Sequence, residues 1–252
     1  MIKPPDYELA EMSARQKNAE ALRGRLMSAD VREKIRNWAD RYNLEEEFVL
    51  YKLKTDEVFA LHFIKDPVKQ SVHQKVAAAH LDKIPLVIDF EMLPSGGDNS
   101  EFVFQGTVQT HGQLKADTTP KGKSIDFKWH FEYCGKELRV YATHKHTKDD
   151  GGGQDHQFAD IKRFLEAASY SHAHDKVFMA ICDGPYYQRP TGAYRSRLEL
   201  LNTECVGRRS VACTIAEVPQ QYARFINLWL KHHSFPITED LANQLAVLED
   251  VG

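Results

Sequence analysis

No stretch of this chain approaches the run of roughly 20 apolar residues that a helix needs to cross a bilayer. The polar start MIKPPDYELAEMSARQ also lacks the apolar core of a secretory leader, so a cytoplasmic protein is expected. Cysteine is scarce: Cys134, Cys182, Cys205 and Cys213 are the four, and no two stand in C-x-x-C spacing. That argues against a zinc ribbon and a disulfide framework, and free thiols are expected. An excess of positive charge is missing too. Lys and Arg number 33 against 36 Asp and Glu, a net charge of −3, which does not suit a non-specific nucleic-acid coat. A protein that encloses a duplex needs basic residues only along its groove, however, so a sequence-reading DNA binder stays open. Internal repeats are absent.

What remains is an ordinary globular composition, 42% hydrophobic and 27% charged over 252 residues. It is read as a single domain, 1–252, with a helical region over about 1–50 and a core over about 57–230. Good helix formers run from Ala10 to Met27, and Ala29-Asp30 offers a cap for a second helix through Val31, Ile35 and Trp38. Val58, Ala60, His62 and Ile64 alternate with Phe59, Leu61 and Phe63, as in a strand or a buried helix end, up to the stop at Asp66-Pro67. A helix is expected over Val68 to Leu81, with Lys69 and Gln70 near its start as candidate phosphate contacts. Phe102 to Val108 reads as a strand, and 109–122 as a mobile loop. Lys176 to Cys182 is a short apolar run ended by Asp183-Gly184-Pro185, the mark of a buried strand. Val211 to Ile215 reads as a last strand, and Val218-Pro219 opens an amphipathic helix.

The chain is organised around KSIDFKWHFEYCGKELRVYATHKHTKDDGGGQDHQFADIKRFL, Lys123 to Leu165. Its first half alternates as two strands around a break at Cys134-Gly135-Lys136. Tyr141, Thr143 and Lys145 then share one side of the second strand, and Val140, Ala142 and His144 the other. If the strands pair, Asp126 and Lys145 project from neighbouring strands into one cleft. After the glycines a helical pattern begins, with Phe158, Ile161, Phe164, Leu165 and Ala168 on one face and Gln154, Asp155 and Gln157 in its first turn. A carboxylate, a lysine and a polar group on the next helix suit metal-assisted attack on a phosphodiester. Asp126 would hold the divalent cation, and Lys145 would orient water or stabilise the oxyanion. Strand, helix, strand in this order implies a crossover, hence a mixed sheet flanked by helices in an α/β fold. A rival chemistry starts from His144 and His146, which share a strand face, and from the similarly spaced His172 and His174. Neither pair is followed by a recognisable third zinc ligand.

Lys123-Ser124-Ile125-Asp126-Phe127 with Trp129, Lys145-His146-Thr147-Lys148, and Gly151-Gly152-Gly153-Gln154-Asp155-His156-Gln157 together resemble the core of type II restriction endonucleases of the PD-(D/E)XK superfamily. Two outlying stretches, His62 to Gln70 and Phe178 to Tyr187, fit the same picture. The resemblance implies a mixed central β-sheet flanked by helices, Mg2+ as cofactor, and double-stranded DNA as substrate. It implies a homodimer on a palindromic site and a cognate DNA methyltransferase in the same system. Asp126, Lys145, Asp155 and Gln157 are its catalytic positions, with Asp126 and Asp155 as metal ligands. Two positions depart from the pattern: Thr143 stands where members carry Glu or Asp, and Ile125 where they carry proline. Asp155 or Asp160 on the following helix would then supply the missing acid.

Lys148 is added as a DNA contact from the same loop. The tract from Tyr186 to Arg209 is the most basic in the chain. Its Arg189, Arg195 and Arg197, among tyrosines, are candidates for reading DNA, since arginine pairs with guanine and binds phosphate. Two other readings share these residues: a structure-specific or repair nuclease of the same fold, and a sequence-specific DNA-binding protein without catalysis.

Overall fold

The computed structural model describes residues 3–64, 71–117, 121–148 and 152–249, and its chain divides into two compact units. One is Asp6–Val76; the other joins Met1–Pro5 to Ala77–Gly252.

The first unit is helical. α1 (Tyr7–Arg23) starts at Asp6, whose carboxylate accepts from the Leu9 N–H at 2.9 Å. α2 (Ala29–Tyr42) begins one residue earlier than the expected cap. Ser28 takes the cap position, and Asp30 lies in the first turn, where its charge suits the helix dipole. Asn43 ends α2 in the left-handed region at φ 50. α3 (Glu46–Thr55) follows, with Glu46 and Glu47 in its first turn. Then comes α4 (Glu57–Phe63). The alternation over 57–64 thus belongs to a helix and not a strand, because Asp56 accepts from the Phe59 N–H at 3.0 Å and fixes a helical start. Ile35, Val49, Leu53 and Ala60 form its core, and Trp38 packs its ring against Phe59 and Phe63.

α5 (Val72–Leu81) leads into the second unit; Lys69, Gln70 and the expected start of this helix lie outside the described residues. The second unit holds β1 (Ile88–Met92), β2 (Glu101–Phe104), β3 (Thr107–Thr110), β4 (Phe127–Tyr133) and β5 (Lys136–His146). α6 (Gly152–Ser169), β6 (Lys176–Asp183), α7 (Pro185–Gln188), α8 (Arg197–Glu204), β7 (Ser210–Cys213), α9 (Val218–His233) and α10 (Glu239–Glu249) complete it. The main sheet has five strands in the order β1-β4-β5-β6-β7. β4 runs antiparallel to β1 and β5, whereas β5, β6 and β7 are parallel. The expected mixed α/β sheet is therefore present, with α6 as the β5-to-β6 crossover.

β6 is apolar from Val177 to Cys182 because both of its faces are covered. Phe178, Ala180 and Cys182 meet Ile161, Phe164 and Leu165 of α6. On the opposite face Trp129 and Phe131 of β4 meet Tyr222 and Trp229 of α9 edge-on. All four cysteines are free, with Cys134 exposed at the β4–β5 turn.

The single strand expected over Phe102 to Val108 is instead a hairpin, β2 paired with β3. Gln105 and Gly106 turn it at φ 47 and 78, the doubly left-handed turn that suits the strand twist. Part of the expected 109–122 loop is likewise ordered by β3 and the turns after it.

Candidate active site

Pairing register creates the site. Phe127 lies opposite Ala142, and the Asp126 N–H donates to the Ala142 carbonyl at 2.8 Å, so Asp126 faces Thr143 across the ladder. Alternation then turns Asp126, Thr143 and Lys145 toward the α6 side of the sheet, while Phe127, Ala142 and His144 turn away. The approach to Asp126 is held by hydrogen bonds from other elements: Lys123 N–H to the Asp160 carbonyl of α6 at 3.0 Å, Ile125 N–H to Glu101 at 2.8 Å, and Leu93 N–H to the Asp126 carbonyl at 2.8 Å. Gly122 lets this segment lie against α6, since a Cβ there would stand 2.6 Å from the Phe164 nitrogen.

Asp126 is 1% exposed. Burial of a carboxylate is tolerable only with donors around it. The Lys123 ammonium sits astride both oxygens at 2.9 and 3.0 Å, and Oδ2 also accepts from the Thr143 hydroxyl at 3.1 Å and the His144 N–H at 2.8 Å. Thr143, where the resembling family carries an acid, therefore serves here as a donor that orients Asp126. Lys145 is half-buried, and its ammonium forms no side-chain hydrogen bond or ion pair among the described residues. Burial lowers its pKa first and the like charge of Lys123 second; Asp126 and Asp160 act in the opposite direction.

The structure brings together Asp126 and Lys145, with Lys123 and Asp160 beside them. Lys123 was not assigned a role from sequence. In a regular strand, residues three apart face opposite sides, but 121–126 is not a strand and its backbone bends Lys123 back onto Asp126. Among the described residues Asp155 makes no hydrogen bond or ion pair with this group. It is exposed and accepts from the Tyr186 hydroxyl at 3.1 Å, so of the α6 acids it is Asp160 whose charge reaches Lys145. The Asp160 carboxylate is itself held by Arg163. Gln157 lies one turn before Ile161 on the sheet-facing stripe of α6. Its Oε1 is buried and lacks a hydrogen-bond partner among the described residues.

Of the basic candidates described, Arg197 donates its backbone N–H to the Arg189 carbonyl at 3.0 Å, and the carbonyl of Thr147, next to Lys148, accepts from the Tyr186 N–H at 3.4 Å. Arg197 lies 4.1 Å over the Tyr186 ring and donates to the Tyr186 carbonyl at 3.2 Å, which makes it a clamp on α7. Arg195 is exposed, while Arg189 and Lys148 are half-buried. Along the same sheet face as Asp126, a cleft of about 280 Å³ is lined by Lys128, His130, Arg139 and Tyr141. Lys128 pairs there with Glu91 at 3.0 Å, and Arg139 with Glu137 at 2.9 Å.

His144 faces the other side, where its Nε2 meets Asp183 at 3.2 Å and Asp183 also accepts from the Ile215 N–H at 2.9 Å. His174 stacks on His232 at 3.8 Å. Among the described residues no group of three His, Cys, Asp or Glu is placed to hold a metal. Comparison with protein-family profiles, with curated proteins and with solved structures returns no match for this chain.

The Asp126 carboxylate on the sheet, and the Gln157 amide oxygen on the sheet-facing side of α6, are nevertheless groups that suit a hard divalent cation in kind. Carboxylate and amide oxygens are what Mg2+ takes: Asp126 offers two, and Gln157 offers an amide oxygen without a partner among the described residues. The Lys123 ammonium, bridging both Asp126 oxygens, stands in for a cation at that position.

Proposed function

We propose that this chain is a Mg2+-dependent type II restriction endonuclease that hydrolyses both strands of a specific double-stranded DNA sequence as a homodimer. The observation that carries the reading is the convergence of a buried, oriented carboxylate, Asp126, with a half-buried lysine, Lys145, that has no side-chain partner among the described residues. Lysine ammonium withdrawn from water without a partner costs stability. A visiting phosphate would supply the missing anion.

In this reading Asp126 is the principal metal ligand, held in orientation by Thr143 and the His144 N–H, with Gln157 as an oxygen ligand from α6. Bound Mg2+ would lower the pKa of its water and offset charge on the phosphoryl oxygens. Lys145 orients the attacking water and donates to the oxygen on which negative charge grows. Lys148, Lys69, Gln70 and the exposed Arg195 are phosphate or base contacts. A methyltransferase of the same specificity protects the host DNA.

The test is digestion of a DNA of known sequence in Mg2+, with the ends mapped. Discrete fragments with one repeated end sequence are expected. Cuts that follow branches or damage would instead indicate a structure-specific nuclease. The donors that surround Asp126 favour one further reading, a sequence-specific DNA-binding protein in which Asp126 and Lys123 form a structural ion pair. Specific mobility shifts without cutting in Mg2+ would establish that reading.

A further inference from the structure

We infer that Lys123 is a resident counter-cation that holds the metal position of Asp126 shut in the metal-free protein and leaves when a divalent cation enters. The inference rests on the Mg2+-dependent reading above. The Lys123 ammonium stands 2.9 and 3.0 Å from Oδ1 and Oδ2 of Asp126, so a divalent cation held by this carboxylate would compete with it for the same oxygens. The two cannot share them, because like charges repel in a site with little water.

The surroundings let the ammonium go without disturbing the fold. The Lys123 backbone is fixed by its N–H to the Asp160 carbonyl at 3.0 Å, and Gly122 lies against α6. Its side chain is 21% exposed, whereas that of Asp126 is 2% exposed. Rotation about its flexible stem carries the ammonium to water while Asp126 stays where it is. Oδ2 keeps the Thr143 hydroxyl and the His144 N–H, so the carboxylate remains oriented through the exchange. Lys123 is thus a positioning residue that sets how tightly the site takes metal.

The experiment is binding of Mn2+ to the DNA-free protein, read from the electron paramagnetic resonance of the free ion. Wild type would be compared with Lys123→Met, Lys123→Gln and Asp126→Asn. Removal of the competing ammonium is expected to tighten binding by about tenfold or more, equivalent to about 1.4 kcal/mol, and Asp126→Asn is expected to abolish it. Equal affinity in wild type and the Lys123 variants, with binding still dependent on Asp126, would overturn the role of Lys123 and leave the proposed function standing. Binding indifferent to Asp126→Asn, or absent from every variant, would remove the metal reading itself and this inference with it. Should the Lys123 variants not fold, reductive methylation of the wild type followed by mass spectrometry decides. Lys123 is expected to react several-fold faster with saturating Mn2+ than without it, and an unchanged rate would refute the exchange.

Discussion

Asp126 and Lys145 face one another's charge, yet the fold treats them oppositely. Asp126 is surrounded by Lys123, Thr143 and the His144 N–H; its replacement by Ala leaves two buried donors, the Thr143 hydroxyl and the His144 N–H, without their acceptor, at a cost of about 1–3 kcal/mol each. Lys145 has no comparable side-chain partner among the described residues and is lowered in pKa by burial. Lys145→Met is therefore expected to leave the protein as stable as wild type, or to stabilise it by about 1 kcal/mol. Thermal melting of the two variants checks this contrast, and a large loss of melting temperature in Lys145→Met would contradict it. That Asp126 and Lys145 share a sheet face was legible in the sequence, because alternation on two strands around one tight turn fixes which residues share a face. Lys123 was not, since its contact depends on an irregular segment. Asp155, expected at the site from its place in the first turn of α6, is exposed and accepts from the Tyr186 hydroxyl.

The elements obey their sequence patterns where burial is one-sided or complete. β4 alternates because one face meets α9, and β6 is apolar throughout because helices cover both faces. Two elements were hidden for physical reasons. The apolar residues of α4 are nearly continuous, a pattern that fits a strand or a helix alike, and the deciding signal was the Asp56 cap. The β2–β3 turn rests on Gln105-Gly106, a weaker turn signal than Asn-Gly, so two short strands read as one.

Packing between elements also yields a test of how the site is positioned. Gly122→Ala would push a Cβ into the α6 backbone at Phe164, and overpacking of this kind costs about 1–3 kcal/mol. Denaturant unfolding should show that loss as a lowered midpoint. An unchanged midpoint would mean that the close approach is dispensable. On the other face Trp229→Ala, which empties a fully buried aromatic site against Phe131 and Phe235, should cost about 3–5 kcal/mol.

At the scale of the molecule, the histidines give its stability a direction with pH. His80 is lowered by burial, with the charge of Asp183 opposing. His174 is lowered first by His232, and His233 first by burial and then by Lys136. A histidine whose folded pKa lies below its ordinary value of 6.5 binds fewer protons in the native state than in the unfolded one. Its contribution is fully present above 6.5 and is lost as the pH falls from there toward the lowered folded values. The urea midpoint is expected to hold steady in mildly alkaline buffer and to fall on acidification through this window. A midpoint that rises on acidification would reverse the sign. No helix among the described residues is long and apolar enough to cross a membrane.

The central claim, that Asp126 and Lys145 together cut DNA, is tested most directly by the cleavage rate of Lys145→Met on one DNA fragment in Mg2+, with specific binding measured in parallel in Ca2+. Since this variant should fold as wild type does, the account expects cleavage to fall by about 100-fold or more while specific binding persists. Cleavage at the wild-type rate with Lys145 replaced would contradict it.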